Sequence, residues 1–285
     1  MRIIVLAAAL LLPATAAGAE PLRAGEAYEI ATSSEMSERG SDGTRSSARS
    51  GSGLIERVLA VRDDGVELEY DLPHDVPAQD RARQWQFPVR VLKPAAGPLQ
   101  LLNRPELETR AARWLEAAGM PRLACGQWIF TWTAIRIDCD PQTVLDSLEA
   151  MDLHPAALRD GALFGDPATR APAPLRRRAR RSHGETFNVL LPVDPDVVRR
   201  ERAERDRIVA QMVGPAAAED TGRAGREVAD ASGTIRIRIE TDADGRMRRR
   251  VKVTELNVRR RDGVTERSRT TQTLERRLLP ATAAR

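Results

Sequence analysis

Period-two alternation of apolar and polar residues at both ends of the chain is the strongest constraint on its fold. Val66, Leu68, Tyr70 and Leu72 alternate with Glu67, Glu69 and Asp71, directly after the turn residues Asp63-Asp64-Gly65. Ile235, Ile237 and Ile239 alternate with Arg236, Arg238 and Glu240, and Asp242-Ala243-Asp244-Gly245 then reverses the chain. Successive strand side chains point to opposite faces, so each stretch specifies a strand with one buried and one wet face. The Asp/Gly pairs supply the positive-φ residues that tight hairpins need. Trp85, Phe87, Val89 and Val91 repeat the alternation after the break at Pro73 to Pro77. Met247, Val251 and Val253 share a parity that Leu256 and Val258 do not, which predicts a bulge near Glu255. Asp262-Gly263 turns into a polar strand from Val264 to Leu274. Ala27 to Met36 reads as a first strand and Leu54 to Arg62 as another, with the Ser/Gly/Arg-rich stretch from Ser37 to Gly53 between them as a loop.

The middle of the chain has the helical period instead. Leu107, Ala111, Trp114, Leu115 and Ala118 fall on one helix face after Pro105, and Gly119 with Pro121 ends that helix. Asp140-Pro141 starts a second helix that buries Val144, Leu145, Leu148 and Met151. A third runs from Asp194-Pro195 to Gly214-Pro215 with apolar residues only at its ends and opposite charges between. The segment before it is rich in Pro, Gly and Arg and carries the run Arg176-Arg177-Arg178-Ala179-Arg180-Arg181, expected to be an exposed loop.

The first residues read as an address. Met1-Arg2, the apolar run Ile3 to Leu12 and the small residues Ala17-Gly18-Ala19 have the order of a cleaved secretory signal, and no cysteine follows to accept a lipid. The expected product is periplasmic or secreted. After this run no apolar stretch approaches the roughly 20 residues that span a bilayer as a helix. Export gives the two cysteines, Cys125 and Cys139, an oxidising compartment, and a disulfide is expected between them. A disulfide tolerates Cα atoms no more than about 7 Å apart. The strand-like stretch from Gln127 to Asp138 must therefore reverse near Thr131 to Thr133.

These readings give an α+β fold: a large, mostly antiparallel curved sheet, able to form a half-barrel, built from the N- and C-terminal thirds, with a helical, disulfide-containing middle. The organisation expected is a signal peptide over 1–19, an N-terminal β region over 20–96 and a helical segment with the disulfide loop over 97–155. A Pro/Arg-rich linker or loop over 156–192, a charged helix over 193–215 and a C-terminal β region over 233–279 follow, the last joining 20–96 in one sheet.

Charge is unevenly spread. The formal net charge is +4, yet residues 20–169 sum to −8 and residues 246–285 to +9, and only Lys93 and Lys252 among the 45 cations are lysine. Arginine richness beside abundant alanine is what GC-rich codons produce, so it argues little by itself. Two readings follow. The basic strands can be neutralised by acidic strands such as the one carrying Glu67, Glu69 and Asp71, in one sheet. Alternatively, Arg246, Arg248, Arg250 and Lys252 form an anion-binding patch for an envelope partner such as lipid headgroups or acidic polysaccharide. Nucleic acid is disfavoured by export and by the lack of aromatics interleaved with the arginines.

Catalytic signatures are missing. His74, His154 and His183 lie in no metal-binding pattern, and there is no nucleophile elbow, phosphate loop or dinucleotide fingerprint, so neither a metal nor a cofactor is expected. His183 stands beside Glu185, but a triad assembles in space rather than in sequence. Trp128, Phe130 and Trp132 read as core rings rather than as a ligand cleft. The order of elements resembles the half-barrel of periplasmic lipoprotein carriers and related lipid-binding envelope proteins. That resemblance implies a non-catalytic exported protein with a hydrophobic or amphipathic ligand in the concavity of the sheet. The alternatives are an interaction protein that docks an anionic partner through its basic C-terminal strands, and a hydrolase that uses dispersed acids.

Overall fold

A computed structural model describes residues 21–130, 134–151, 153–155, 158–181, 183–213 and 228–280. The proposed signal segment, residues 1–19, and the chain reversal at 131–133 lie outside the described residues.

The chain begins with β1 (Ala27–Gly40), β2 (Arg45–Arg62), β3 (Gly65–Asp71), a short α1 (Ala78–Ala82), β4 (Val89–Pro94) and β5 (Gln100–Leu101). The middle holds α2 (Arg104–Ala117), the ribbon β6 (Trp128–Phe130) and β7 (Ala134–Arg136), α3 (Gln142–Met151), and the short pair β8 (Leu163–Phe164) and β9 (Ala173–Pro174). The last part comprises β10 (Arg176–Arg181), β11 (Gly184–Pro192), α4 (Pro195–Val213), β12 (Val228–Thr241), β13 (Met247–Arg260) and β14 (Thr265–Leu278). Ten of these strands form one open sheet in the order β10-β11-β12-β13-β14-β1-β2-β3-β4-β5. Every pairing is antiparallel, and the four α-helices among the described residues make the whole broadly α+β but mostly sheet.

The first and last strands meet. β1 pairs with β14 from Tyr28↔Leu278 to Gly40↔Glu266, so strands more than 200 residues apart in sequence are neighbours. One sheet face, called inner here, carries Ile235, Ile237 and Ile239 of β12 and, opposite them on β11, Leu191, Val189 and Phe187, all buried. The same core takes in Val144, Leu145 and Leu148 of α3, Leu107 and Ala111 of α2, and Val198 of α4. The helix starts follow their sequence signals. The Asp140 carboxylate accepts from the Gln142 backbone N–H at 3.0 Å, and the Asp194 carboxylate does the same for Asp196 at 3.0 Å.

Cys125 and Cys139 are disulfide-bonded with Cα atoms 5.6 Å apart. The antiparallel β6–β7 pair, with Trp128 opposite Arg136, brings the two ends of the loop back together as the bond requires. Trp128 is half-buried rather than core and Ile129 is 38% exposed, while the side chains of Phe130 and Trp132 lie outside the described residues.

Three expectations are corrected. The stretch from Ser37 to Gly53 is not a loop, because β1 continues to Gly40 and β2 begins at Arg45, leaving only Ser41 to Thr44 as a turn. β1 is paired here on both sides, by β14 and β2, and β2 from Arg45 to Gly53 on one side by β1, so the ladder holds strand form without apolar side chains. The linker expected over 156–192 instead supplies β8 to β11, including the sheet edge. Its arginine run suits an edge strand, where charge discourages pairing with other chains. Lastly, Glu255 is in regular register with Thr234 and Arg269. The irregularities of β12 and β13 lie at Ala229 and at Arg248, skipped between Thr241↔Met247 and Glu240↔Arg249. The bulge at Arg248 sets Met247 on the inner face together with Arg250, Lys252, Leu256 and Val258, which are opposite the inward residues Ile239, Ile237, Gly233 and Ala231. The inner face of β13 is thus partly cationic, and Val251 and Val253 lie on the outer one.

Candidate functional site

The inner face is apolar at β11 and β12 and at Ile30, Leu54 and Leu274, and turns largely polar farther along β14, β1 and β2. The row that starts at Ile237 continues through Lys252, Gln272, Ser34 and Ser50, and the row at Ile239 continues through Arg250, Leu274, Thr32 and Ser52. These two rows form the floor of a cavity of about 730 Å³. Its roof is the C-terminal turn of α3, Glu149 to Met151, and the segment Phe164 to Pro167. One side is therefore lined by hydroxyls and an amide, with Thr32 and Ser52 hydrogen-bonded to each other at 2.7 Å, and another by Met151, Phe164, Ile237 and Leu274.

Polar ties fasten roof to floor. Arg250 donates to the Met151 carbonyl at 2.7 Å, ending α3. Lys252 pairs with the nearly buried Asp166 at 2.6 Å. Just beyond α3, His154 Nε2 lies 2.8 Å from Oε2 of Glu56, which has no exposed surface.

Glu56 is the hub of a buried polar cluster at the end of the sheet next to the cavity. Its inward place on β2 is between Tyr28 of β1 and Tyr70 of β3. Arg276 of β14 grips Oε1 through Nε and Nη2 at 3.1 and 2.6 Å, while Tyr70 donates to Oε2 at 2.9 Å. The Arg276 guanidinium also stacks 3.3 Å over the Tyr28 ring. Tyr28 in turn donates to Glu26 at 2.9 Å, and Arg246 reaches both residues and the Pro21 carbonyl. Burial pushes the Glu56 carboxyl up, but His154 and then Arg276 outweigh it and hold it at about 2. Burial and the neighbouring Glu56 carboxylate raise the Tyr70 phenol well above its ordinary range. Burial, with the hydrogen bond to Glu26, puts the Tyr28 phenol at about 12. Glu56 is therefore held as a carboxylate, and Tyr28 and Tyr70 as neutral phenols, at neutral pH.

The four cations expected to form an anion site are not gathered on one open surface. Arg246 is buried against Glu26 and Tyr28, and Arg250 and Lys252 point inward and fasten the cavity roof. Arg248, on the bulge, pairs with Glu240 at 2.9 Å on the exterior. Nor do the acids of β3 meet them. Glu67, Glu69 and Asp71 are paired by Arg62 and Arg57 of their own hairpin and by Arg81 of α1 after it. Front and back of the chain are instead joined by Glu26–Arg246, Glu29–Arg277 and Glu56–Arg276. His183 is exposed, and Glu185 beside it pairs with Arg177 and Arg180. Among the described residues there is no cluster of three or more metal-ligating side chains, and no helix is long and apolar enough to cross a membrane.

Sequence reasoning missed Glu56 and Arg276, although a signal existed. Glu56 interrupts the inward series Leu54, Val58, and Arg276 interrupts Leu274, Leu278. A lone charge at a core position of a strand calls for an opposite charge within reach.

No family model matches this chain, and no curated protein does. Among solved structures, Ail, the attachment invasion locus protein of Yersinia pestis, aligns with 89% of this chain and 99% of its own length at 5% identity and a TM-score of 0.17. A superposition that poor supports no argument about fold or activity.

Proposed function

We propose that this is an exported, non-catalytic protein of the cell envelope that holds an amphipathic ligand between the inner face of its sheet and the α3 roof. One observation carries the reading: a cavity of about 730 Å³ with apolar wall residues Met151, Phe164, Ile237 and Leu274, a hydroxyl- and amide-lined side with Thr32, Ser34, Ser50, Ser52 and Gln272, and the charged side chains Glu149, Asp166, Arg250 and Lys252 among its lining. Ligand sites of small molecules have this character and size, mostly apolar with a few placed polar groups. The open sheet then acts as a half-barrel whose concavity the middle of the chain covers, and the terminal apolar segment serves as its export signal. Catalysis is not part of the proposal, since the buried carboxylate is committed to Arg276 and His154.

Native mass spectrometry of the protein recovered from an exporting host tests this. The expected spectrum shows a bound lipid-sized adduct that denaturation releases and that the cavity-filling pair Ile237→Trp and Ser52→Phe removes. A folded protein that carries no adduct, and that takes up none when incubated with envelope lipid extract, would sink the proposal.

A further inference from the structure

Where β1, β2 and β14 run on past the cavity, their outer face carries a row of three arginines directly opposite one another. Arg39 of β1 is in register with Arg45 of β2 on one side and with Arg267 of β14 on the other. Adjacent strands are about 4.8 Å apart, so three guanidinium stems leave the sheet within about 10 Å. Like charges facing each other across strands destabilise a sheet. All three side chains are exposed, and none has an ion pair or hydrogen bond among the described residues.

Several other arginines on this face are compensated, whereas Arg236 and Arg259 stand singly, each without an arginine directly opposite. Arg49 pairs with Glu35 at 3.2 Å, Arg269 with Glu255 at 3.1 Å and Arg249 with Glu275 at 3.1 Å. The acids closest in sequence to the row are otherwise engaged. Glu38 and Glu266 alternate to the inner face, where Arg202 of α4 pairs with both, and Asp42 in the turn accepts from Thr44. The positive charge of the row is thus left uncancelled by its own fold.

We propose that this row is a docking surface for the phosphate headgroups of an anionic lipid bilayer, separate from the ligand cavity on the other face. Charge complementarity gives the sign of the partner. The surface gives its shape: the outward positions beside the row are Ser37, Ser47, Asn257, Thr265, Arg259 and Arg269, on an open sheet face with no aromatic residue among its outward positions. Nucleic-acid bases are held by stacking on rings, which this face does not offer. A phosphate layer asks only for several cations on one exposed face, and arginine's planar fork suits it.

Sedimentation of the protein, as processed by an exporting host, with vesicles of equal phosphatidylglycerol and phosphatidylcholine tests this, with pure phosphatidylcholine vesicles alongside. Binding is expected only to the anionic vesicles and should weaken as salt is raised. At about one decade or less per arginine, the triple variant Arg39→Gln, Arg45→Gln, Arg267→Gln should bind about 100-fold more weakly. Its melting temperature should be unchanged or higher, because opposed like charges are removed. Arg113→Gln with Arg122→Gln, exposed arginines of the helical middle, should bind as the unaltered protein does. Equal binding to both vesicle types, undiminished binding by the triple variant, or binding to soluble heparin in place of vesicles would overturn the proposal. So would a lowered melting temperature in the triple variant, which would make the row a structural device.

Discussion

Glu56 places a full negative charge where the surrounding strands put leucine, valine and tyrosine, and its cost is met by geometry. Each carboxylate oxygen has two donors, Nε and Nη2 of Arg276 on one and Tyr70 with His154 on the other. Removing one partner of such a buried pair typically costs about 3–5 kcal/mol, because the remaining charge is stranded. The carboxyl is held at about 2 in the fold, against an ordinary value of 4.5. The folded state therefore binds the proton less readily than the unfolded chain does. This stabilisation is fully present above pH 4.5, declines as pH falls and is nearly gone by about pH 2. A shift of this size corresponds to about 3 kcal/mol. Urea unfolding between pH 6 and pH 3 should show stability falling with acid, and Glu56→Gln should flatten much of that slope while lowering stability at pH 6. An equally steep slope in the variant would mean that other carboxylates dominate.

Among the elements, the β6–β7 ribbon shows how a covalent link replaces a core. It is a three-residue pair beyond the main sheet, extended by backbone bonds between Gly126 and Ile137 and between Ile137 and Gln127. Ile137 behind it is buried. The disulfide closes a loop of sequence separation 14, worth roughly 3 kcal/mol in the chain-entropy model. Cys125→Ser with Cys139→Ser should lower stability by at most that amount. Hydrogen exchange should accelerate at Ile137 and Trp128 while the amides of Ile235, Ile237 and Ile239 stay protected. Loss of protection in β12 would show that the ribbon supports the large sheet. The ribbon was legible beforehand because two facts about the same residues, strand-like composition and the reach of a disulfide, admit only a reversal. The β1–β2 hairpin was not legible to its tip. From Ser37 to Gly53 the side chains carry no alternation, since strand form there is enforced by the ladder that joins β1 to β14 and β2 to β1, which sequence periodicity does not report. Ser41-Asp42-Gly43-Thr44 did hold a turn signature, with Asp42 accepting from Thr44 and Gly43 at φ 87°, but it was lost within a polar run. The cavity was illegible for a related reason. Ser34, Ser50, Gln272 and Lys252 become one row only when four strands are in register, and that register depends on a pairing between the two ends of the chain.

At the scale of the whole molecule, that pairing is the seam on which everything else depends. The β1–β14 ladder joins the four strands β10 to β13 and β14 itself to β1 through β5, and Glu56–Arg276 crosses it inside while Glu29–Arg277 crosses it outside. The seam is also the least local contact in the chain, so its formation must meet the largest loop-closure cost, and topologies dominated by such contacts fold slowly. At one end of the seam, close to both limits of the described residues, the Leu279 backbone N–H donates to the Ala27 carbonyl at 2.8 Å. A short linker between Pro280 and Pro21 would therefore turn β14 and β1 into an ordinary hairpin. New ends can be cut between Ala96 and Gly97, exposed residues between β4 and β5 that carry no core side chain. This circular permutant should keep the denaturation midpoint of the linear chain to within the cost of the cut. It should refold faster in stopped-flow measurements, because the slowest pairing has become the most local. An unchanged refolding rate would locate the barrier elsewhere, in the joining of β4 to β5 or the docking of α3 over the cavity, and a lost native state would mean that the β4–β5 connection holds the roof in place.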